Sequence, residues 1–132
     1  MPSRRSTAVL VLSLALLGAL AVATAAASPG SDDPIASAAA TCRLSSSKQR
    51  SLGPTYVTAL SVSGTSCATG ERVVRAYYRC RVRNGGRRGR CTSRVLGYRC
   101  TETRESISTQ FDARVRCRDG TKRVNHSYTQ FT

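Results

Sequence analysis

Apolar and polar positions between Ser66 and Val82 follow the period of an amphipathic helix. One face would carry Cys67, Val73, Val74, Tyr77, Tyr78 and Cys80, and the opposite face Arg72, Arg75, Ala76 and Arg79. Ser66 is a suitable N-cap, because its hydroxyl can accept a hydrogen bond from a free backbone N–H of the first turn. Gly70 disfavours that turn by about 1 kcal/mol relative to Ala, so a start at Thr69 remains open. We therefore predict one helix, the only one of the domain, which ends before the glycines after Asn84.

The period of two that is typical of strands occurs on both sides of this helix. Thr55–Ser63 is rich in β-branched residues, which favour strands. Arg94–Thr101 predicts a second strand, whose one face would carry Leu96, Tyr98 and Cys100. The polar residues from there to Thr109 predict a connection.

A β-hairpin is predicted around Asp119-Gly120, a dipeptide typical of the type I′ turn. Phe111–Arg118 alternates before it, and a final strand follows. With the dipeptide in the loop, Arg118 would pair with Thr121. The same register sets Cys117 opposite Lys122, Val115 opposite Val124, Ala113 opposite His126 and Phe111 opposite Tyr128. It places Val124, His126 and Tyr128 on the face of Phe111 and Val115.

These elements predict an α+β fold, in which one amphipathic helix packs on a small antiparallel sheet of about four strands in the order β-α-β-β-β. The two apolar faces would form one core. Cys42–Gly53 is polar and basic and predicts irregular structure. No internal repeat is visible.

The first 27 residues have the composition of a secretory signal peptide. Arg4 and Arg5 precede an apolar run, and small residues end the segment at Ala27. An uncleaved membrane anchor is the alternative. We expect cleavage, a disordered mature N-terminus over residues 28–41, a single domain over residues 42–132, and no membrane span after cleavage.

Six cysteines follow the predicted signal peptide, which indicates an oxidising compartment and three disulfides. Cys80 and Cys91 form the most direct pair. For the rest we expect Cys67 with Cys100 and Cys42 with Cys117, and the alternative is Cys42 with Cys67 and Cys100 with Cys117. With no C-x-x-C pair and a single histidine, the chain predicts no metal site and no cofactor.

The chain is strongly basic, with 21 Lys and Arg against seven Asp and Glu residues and a formal net charge of +14. Such a charge attracts nucleic acid, anionic lipid or acidic cell-surface polymers. Most of the basic residues are Arg, which a GC-rich genome would also produce. The charge therefore indicates a class of partner only if genome composition is not its cause, and the sequence leaves both explanations open. A monomer is expected.

An arginine-rich loop follows the predicted helix and is the first candidate site. We assign anion binding to Arg81, Arg83, Arg87, Arg88 and Arg90. Arginine forks bind phosphate and carboxylate with two hydrogen bonds, and the neighbouring glycines permit close approach of an anion. The alternative is an ordinary solvated loop.

His126 with Glu102 and Glu105 is the alternative, catalytic candidate. A carboxylate and a histidine could act as general acid and base in a small ribonuclease. The ending NHSYTQF is similar to the D-H-Y-x-T-F ending of small microbial ribonucleases, but Asn125 replaces the acid and a serine separates His126 from Tyr128. The predicted register instead makes His126 a structural residue of the sheet.

Three segments resemble a family of small, uncharacterised secreted proteins common in actinobacteria. They are SCATGERVVRAYYRC from Ser66, VLGYRC from Val95 and ARVRCRDGTKRV from Ala113. The resemblance covers Tyr56 to Phe131 and implies a secreted helix-and-sheet domain joined by disulfides. It implies no activity and no catalytic residues.

The sequence thus predicts a secreted, non-enzymatic module that binds an acidic partner or envelope polyanion through an arginine-rich surface. The first alternative is a small secreted ribonuclease-like hydrolase. A protease inhibitor that presents the Cys80–Cys91 loop is the second. Trp is absent and Phe occurs only twice, so aromatic platforms for single-stranded nucleic acid are few.

Overall fold

A five-stranded antiparallel sheet is the framework of the computed structural model, which describes residues 38–132. The strands are β1 (Ala40–Thr41), β2 (Tyr56–Ser63), β3 (Arg99–Ser106), β4 (Gln110–Asp119) and β5 (Lys122–Phe131), and the helices are α1 (Ser46–Ser51) and α2 (Cys67–Arg83), with a 3₁₀ turn at Gly86–Arg88. Across the sheet the order is β1-β2-β5-β4-β3. The α+β fold with one main helix on an antiparallel sheet is confirmed, although the sheet has five strands. The predicted signal peptide lies outside the described residues.

Helix α2 begins at Cys67, and the hydroxyl of Ser66 accepts a hydrogen bond from the Thr69 N–H at 3.2 Å. Gly70 does not delay this start. It is buried against β2, and a Cβ there would lie only 2.8 Å from Val62 Cγ1. The glycine is therefore what allows the helix to approach the sheet this closely.

The core lies between α2 and one face of the sheet. From the helix it contains Val73, Val74, Tyr77 and Cys80, and from β4 and β5 it contains Phe111, Ala113, Val115, Cys117, Val124 and Tyr128. The predicted alternation of these two strands is confirmed. The intervening positions of β4 are exposed on the opposite face, which we call the outer face.

The β4–β5 hairpin has the predicted inner face but a different register. Asp119 pairs with Lys122, so Gly120 and Thr121 form the loop. Gly120 has a φ of 55° and Thr121 does not have a positive φ, which fits type II′ with glycine first rather than type I′. The ladder is displaced by two residues, so Val115 faces His126 and Ala113 faces Tyr128. Because side chains alternate with a period of two, a shift of two leaves every face assignment correct.

The predicted boundaries of β3, Arg94–Thr101, were wrong. Val95 and Tyr98 close a two-residue turn, and Leu96 at its tip is exposed instead of sharing a face with Cys100. The strand then runs from Arg99 to Ser106, through the stretch that was expected to be a connection. Its polar side chains do not prevent this, because β4 supplies a complete ladder of backbone partners.

Two further segments are more regular than predicted. Ser45 caps α1 by accepting from the Lys48 N–H, so Cys42–Gly53 contains a short second helix. Ala40 and Thr41, at the end of the stretch expected to be disordered, pair with Val62 and Ser61. The rest of that stretch, up to residue 37, lies outside the described residues.

Three disulfides join Cys42 to Cys67, Cys80 to Cys91 and Cys100 to Cys117. The Cys80–Cys91 pair is confirmed. The preferred assignment of the other four was wrong and the alternative is right. Cys100 on β3 lies directly opposite Cys117 on β4, so it is already bonded within the sheet and cannot reach the start of α2.

Candidate functional site

The first predicted site residue, Arg81, lies in the core and has no exposed surface. It is a residue of α2, and it extends under the sheet, where its guanidinium lies 4.6 Å from the centre of the Tyr128 ring. It donates to the Tyr128 hydroxyl, to Gln130 Oε1 at 3.4 Å and to the Arg87 carbonyl at 3.3 Å. Placing Arg81 in an exposed anion site was therefore wrong, because the whole side chain is buried and its two terminal nitrogens donate inside the protein.

The rest of the basic loop is exposed but closely held. Its four remaining predicted residues, Arg83, Arg87, Arg88 and Arg90, all lie at the surface. Arg88 donates to the Ser108 carbonyl at 3.1 Å and to Thr132 Oγ1 at 2.9 Å. The loop's own carbonyls, of Arg88 and Gly89, accept from the guanidinium of Arg104 at 2.7 and 2.5 Å.

A buried ion pair explains the position of Arg104. Its Nε donates to Glu102 Oε1, and the two side chains are only 8% and 4% exposed. Tyr77 donates to the other oxygen, Oε2, at 2.5 Å. Burial raises the pKa of Tyr77, and the hydrogen bond to Glu102 raises it further, so this phenol stays protonated. The group links α2, β3 and the loop.

His126, the predicted catalytic histidine, is 3% exposed under α2. Its ring lies 5.7 Å from that of Tyr77 and stacks on that of Tyr128 at 6.0 Å. Burial, with a further contribution from Arg81, lowers its pKa from 6.5 to about 3, so the imidazole is neutral at pH 7. Its Nδ1 has no hydrogen-bond partner within residues 38–132.

The three candidate catalytic residues do not form one site. Glu102 and His126 are both on the inner side, connected through Tyr77. Glu105 is exposed on the outer face, where it lies opposite Asp112 on β4. A shallow groove of about 310 Å³ includes Glu105 and Asp112 but neither Glu102 nor His126.

A further arginine cluster, which the fold creates, was not predicted. Five arginines occupy one end of the outer face, and we call them the arginine face: Arg99, Arg114, Arg116, Arg118 and Arg123. Arg118 has Arg99 directly opposite on one side and Arg123 on the other, which gives a row of three like charges across β3, β4 and β5.

In residues 38–132 no arginine of this face forms an ion pair, although Glu105 and Asp112 lie beside Arg114 at its edge. The ion pairs there involve Glu71 and Glu102, and none includes a residue of the arginine face. Like charges directly opposite each other in a sheet are destabilising. The row of Arg99, Arg118 and Arg123 therefore destabilises the sheet, and no ion pair with a neighbouring side chain offsets this repulsion. The alternation of Arg114, Arg116 and Arg118 was visible in the sequence, but the addition of Arg99 and Arg123 required the correct register.

Comparison of the chain with protein-family models, with curated proteins and with solved structures finds no match. The actinobacterial family resemblance therefore stays a prediction. Within residues 38–132 no helix is long and apolar enough to cross a membrane. In the same range no three His, Cys, Asp or Glu side chains are grouped so that they could hold a metal ion.

Proposed function

We propose that this protein is a secreted, non-enzymatic module that binds an acidic polymer of the cell envelope on the arginine face. The row Arg99–Arg118–Arg123 is the observation that carries the proposal, because it is a built concentration of unpaired positive charge. Guanidinium groups bind phosphate and carboxylate through two parallel hydrogen bonds. A polyanion laid across the strands would replace repulsion by attraction.

The arginine face suits a polymer better than a small anion. Arg114, Arg116 and Arg118 alternate along β4, so their Cα atoms are spaced by about 7 Å, and the row across the strands adds further charges. The outer-face positions beside them are Thr101, Thr103, Asn125 and Ser127, which carry hydroxyl or amide groups and no aromatic ring. Contacts would therefore be made with the charged backbone of a polymer and not by stacking on bases.

Secretion is the part of the proposal that the sequence and the disulfides support together. Three disulfides join all six cysteines, which is typical of an oxidising compartment. A signal peptide ending at Ala27 would deliver the chain there. The intact mass of the secreted protein should correspond to a start near Ala26 or Ser28, and a retained leader would contradict this step.

The test compares three variants that lose the same charge. The arginine-face variant changes Arg114, Arg116 and Arg118 to Ser. One control changes Arg72, Arg75 and Arg79 on α2, and the other changes Arg87, Arg88 and Arg90 in the loop. Binding of linear polyphosphate is measured as a function of salt concentration, since each lost contact reduces the slope of log K against log salt by roughly 0.7 to 0.9.

We expect the arginine-face variant to lose about two units of slope and both controls to lose much less. An equal loss in all three would mean that the charge acts diffusely. A loss confined to the loop variant would return the site to the loop. Either result would contradict the proposed face.

The two alternatives have less support. For a ribonuclease, His126 and Glu102 would have to contact RNA, but α2 and the core cover them. RNA cleavage should be absent from the purified protein and unchanged in His126→Gln. For a protease inhibitor, the Cys80–Cys91 loop should present extended backbone, whereas it contains a 3₁₀ turn and its carbonyls bind Arg81 and Arg104.

A further inference from the structure

A strained and exposed leucine stands at the end of the arginine face. Leu96 has a φ of 50° and is the only non-glycine residue with a positive φ in residues 38–132. With Gly97 at a φ of 88°, it forms the two central positions of a type I′ turn. Such positions favour Gly, Asn or Asp, because a branched side chain is strained there.

Packing does not compensate for this strain, since Leu96 is 60% exposed. The turn itself is firmly held. Val95 and Tyr98 are buried and exchange both backbone hydrogen bonds at 2.9 Å, and Arg94 donates to the Gly97 carbonyl at 2.9 Å. A rigid support therefore presents an apolar side chain to solvent in a conformation that disfavours it. Strain retained in this way is typical of functional positions.

Basic residues lie beside this turn. It leads directly into Arg99, the first residue of the like-charged row. Gly97 also lies close to Asp119, where a Cβ would be 3.5 Å from the carboxylate, so the turn sits next to the β4–β5 loop. That loop is flanked by Arg118 and by Lys122, with Arg123 following. Asp119 is the one acidic residue among them.

We propose that Leu96 inserts into the interface of an anionic lipid membrane while the adjoining arginines bind the phosphate headgroups. This inference rests on the proposed anion binding by the arginine face and adds an anionic lipid surface of the envelope to its ligands. An apolar residue in a turn beside basic residues matches the two layers of such a surface, because acyl chains lie just beneath the negatively charged headgroups. Each basic residue near the headgroups should increase binding roughly fivefold, and burial of the leucine roughly tenfold.

The test uses phosphatidylcholine vesicles with and without phosphatidylglycerol. We expect binding only to the anionic vesicles, and a roughly tenfold weaker partition for Leu96→Asn. Ile107→Asn is the matched control, since Ile107 is 65% exposed and follows the end of β3 opposite to Arg99. Asn is favoured at the turn position, so Leu96→Asn should be at least as stable as the parent.

A second variant reports insertion directly. The chain contains no Trp, so Leu96→Trp provides a single fluorophore whose emission should shift to shorter wavelength on anionic vesicles. An unshifted emission, or equal losses for Leu96→Asn and Ile107→Asn, would overturn the proposal. If polyphosphate binds but the vesicles do not, the lipid inference fails and the proposed function stands. If neither binds, both fail.

Discussion

The guanidinium of Arg81 on α2 lies 4.6 Å from the centre of the Tyr128 ring on β5 and donates to the hydroxyl of the same side chain. Arg81 thus contacts both the face and the edge of one tyrosine. Burial raises the pKa of Tyr128, while the arginine acts in the opposite direction. Within residues 38–132 Arg81 has no carboxylate partner, so π systems and neutral oxygens replace one.

Replacing Arg81 with Ala should reduce the free energy of unfolding by about 3 kcal/mol, because a cavity forms and buried acceptors lose their donors. Arg83→Ala is the matched control, since Arg83 lies two residues further along the same helix and is exposed. It should change stability by less than about 0.5 kcal/mol. Urea unfolding of both variants measures the difference, and equal effects would contradict the structural role of Arg81.

Gly70→Ala should be destabilising although Ala is the better helix former. Propensity favours the change by about 1 kcal/mol, but the new Cβ would meet Val62 Cγ1, and overpacking costs about 1–3 kcal/mol. We expect a net loss of about 1 kcal/mol. In a double-mutant cycle, Val62→Ala should cost less in the Gly70→Ala background than alone. Additive effects would show that the two positions do not compete for space.

The contrast between Arg81 and Arg83 shows how much of the site could be predicted. Both lie in one arginine-rich run, and composition treats them alike. Their helical positions differ, because Arg81 follows Tyr77 by four residues and Val74 by seven and therefore lies on the buried face. The periodicity that predicted α2 therefore also places Arg81 on the buried face. The sequence analysis assigned it to the exposed loop because arginine is rarely buried.

The arginine face required information that the sequence does not contain. Alternation placed Arg114, Arg116 and Arg118 on one side of β4, which the structure confirms. Which residues lie opposite Arg118 depends on which residues form the turns between the strands. Moving a two-residue turn by one position along the chain shifts the register by two residues and gives Arg118 a different partner. The β3 strand was misplaced because Leu96 and Tyr98 resemble strand residues, whereas the tertiary fold uses them in a turn.

Non-reducing peptide mapping should give three linked pairs, Cys42–Cys67, Cys80–Cys91 and Cys100–Cys117. Alkylation without reduction should add no mass. Replacing Cys100 and Cys117 with Ala removes a link across 17 residues and should cost about 3 kcal/mol, mainly through the greater freedom of the unfolded chain. A peptide containing Cys67 linked to Cys100 would contradict the fold at the start of α2.

His126 should make the protein less stable in acid. The loss of stability should begin at a pH well above the pKa of His126 in the folded protein. Burial lowers the pKa of His126 to about 3 in the folded protein, whereas the unfolded chain has the ordinary value of 6.5. Between these values the unfolded state binds the proton and the folded state does not. The stabilising contribution is therefore complete above pH 6.5 and is lost progressively as the pH falls towards 3.

The loss should reach about 2 kcal/mol at pH 5, since each unit of pH below the unfolded pKa costs about 1.4 kcal/mol. The two rings that face the imidazole should not contribute to this pH dependence, because Tyr77 and Tyr128 have raised pKa values and stay neutral between pH 7 and pH 5. His126→Gln should be less stable at pH 7 by about 1–2 kcal/mol, but its stability should change less between pH 7 and pH 5 than that of the parent. Urea unfolding at both pH values measures the two slopes, and parallel slopes would show that the pKa of His126 does not differ between the folded and unfolded states.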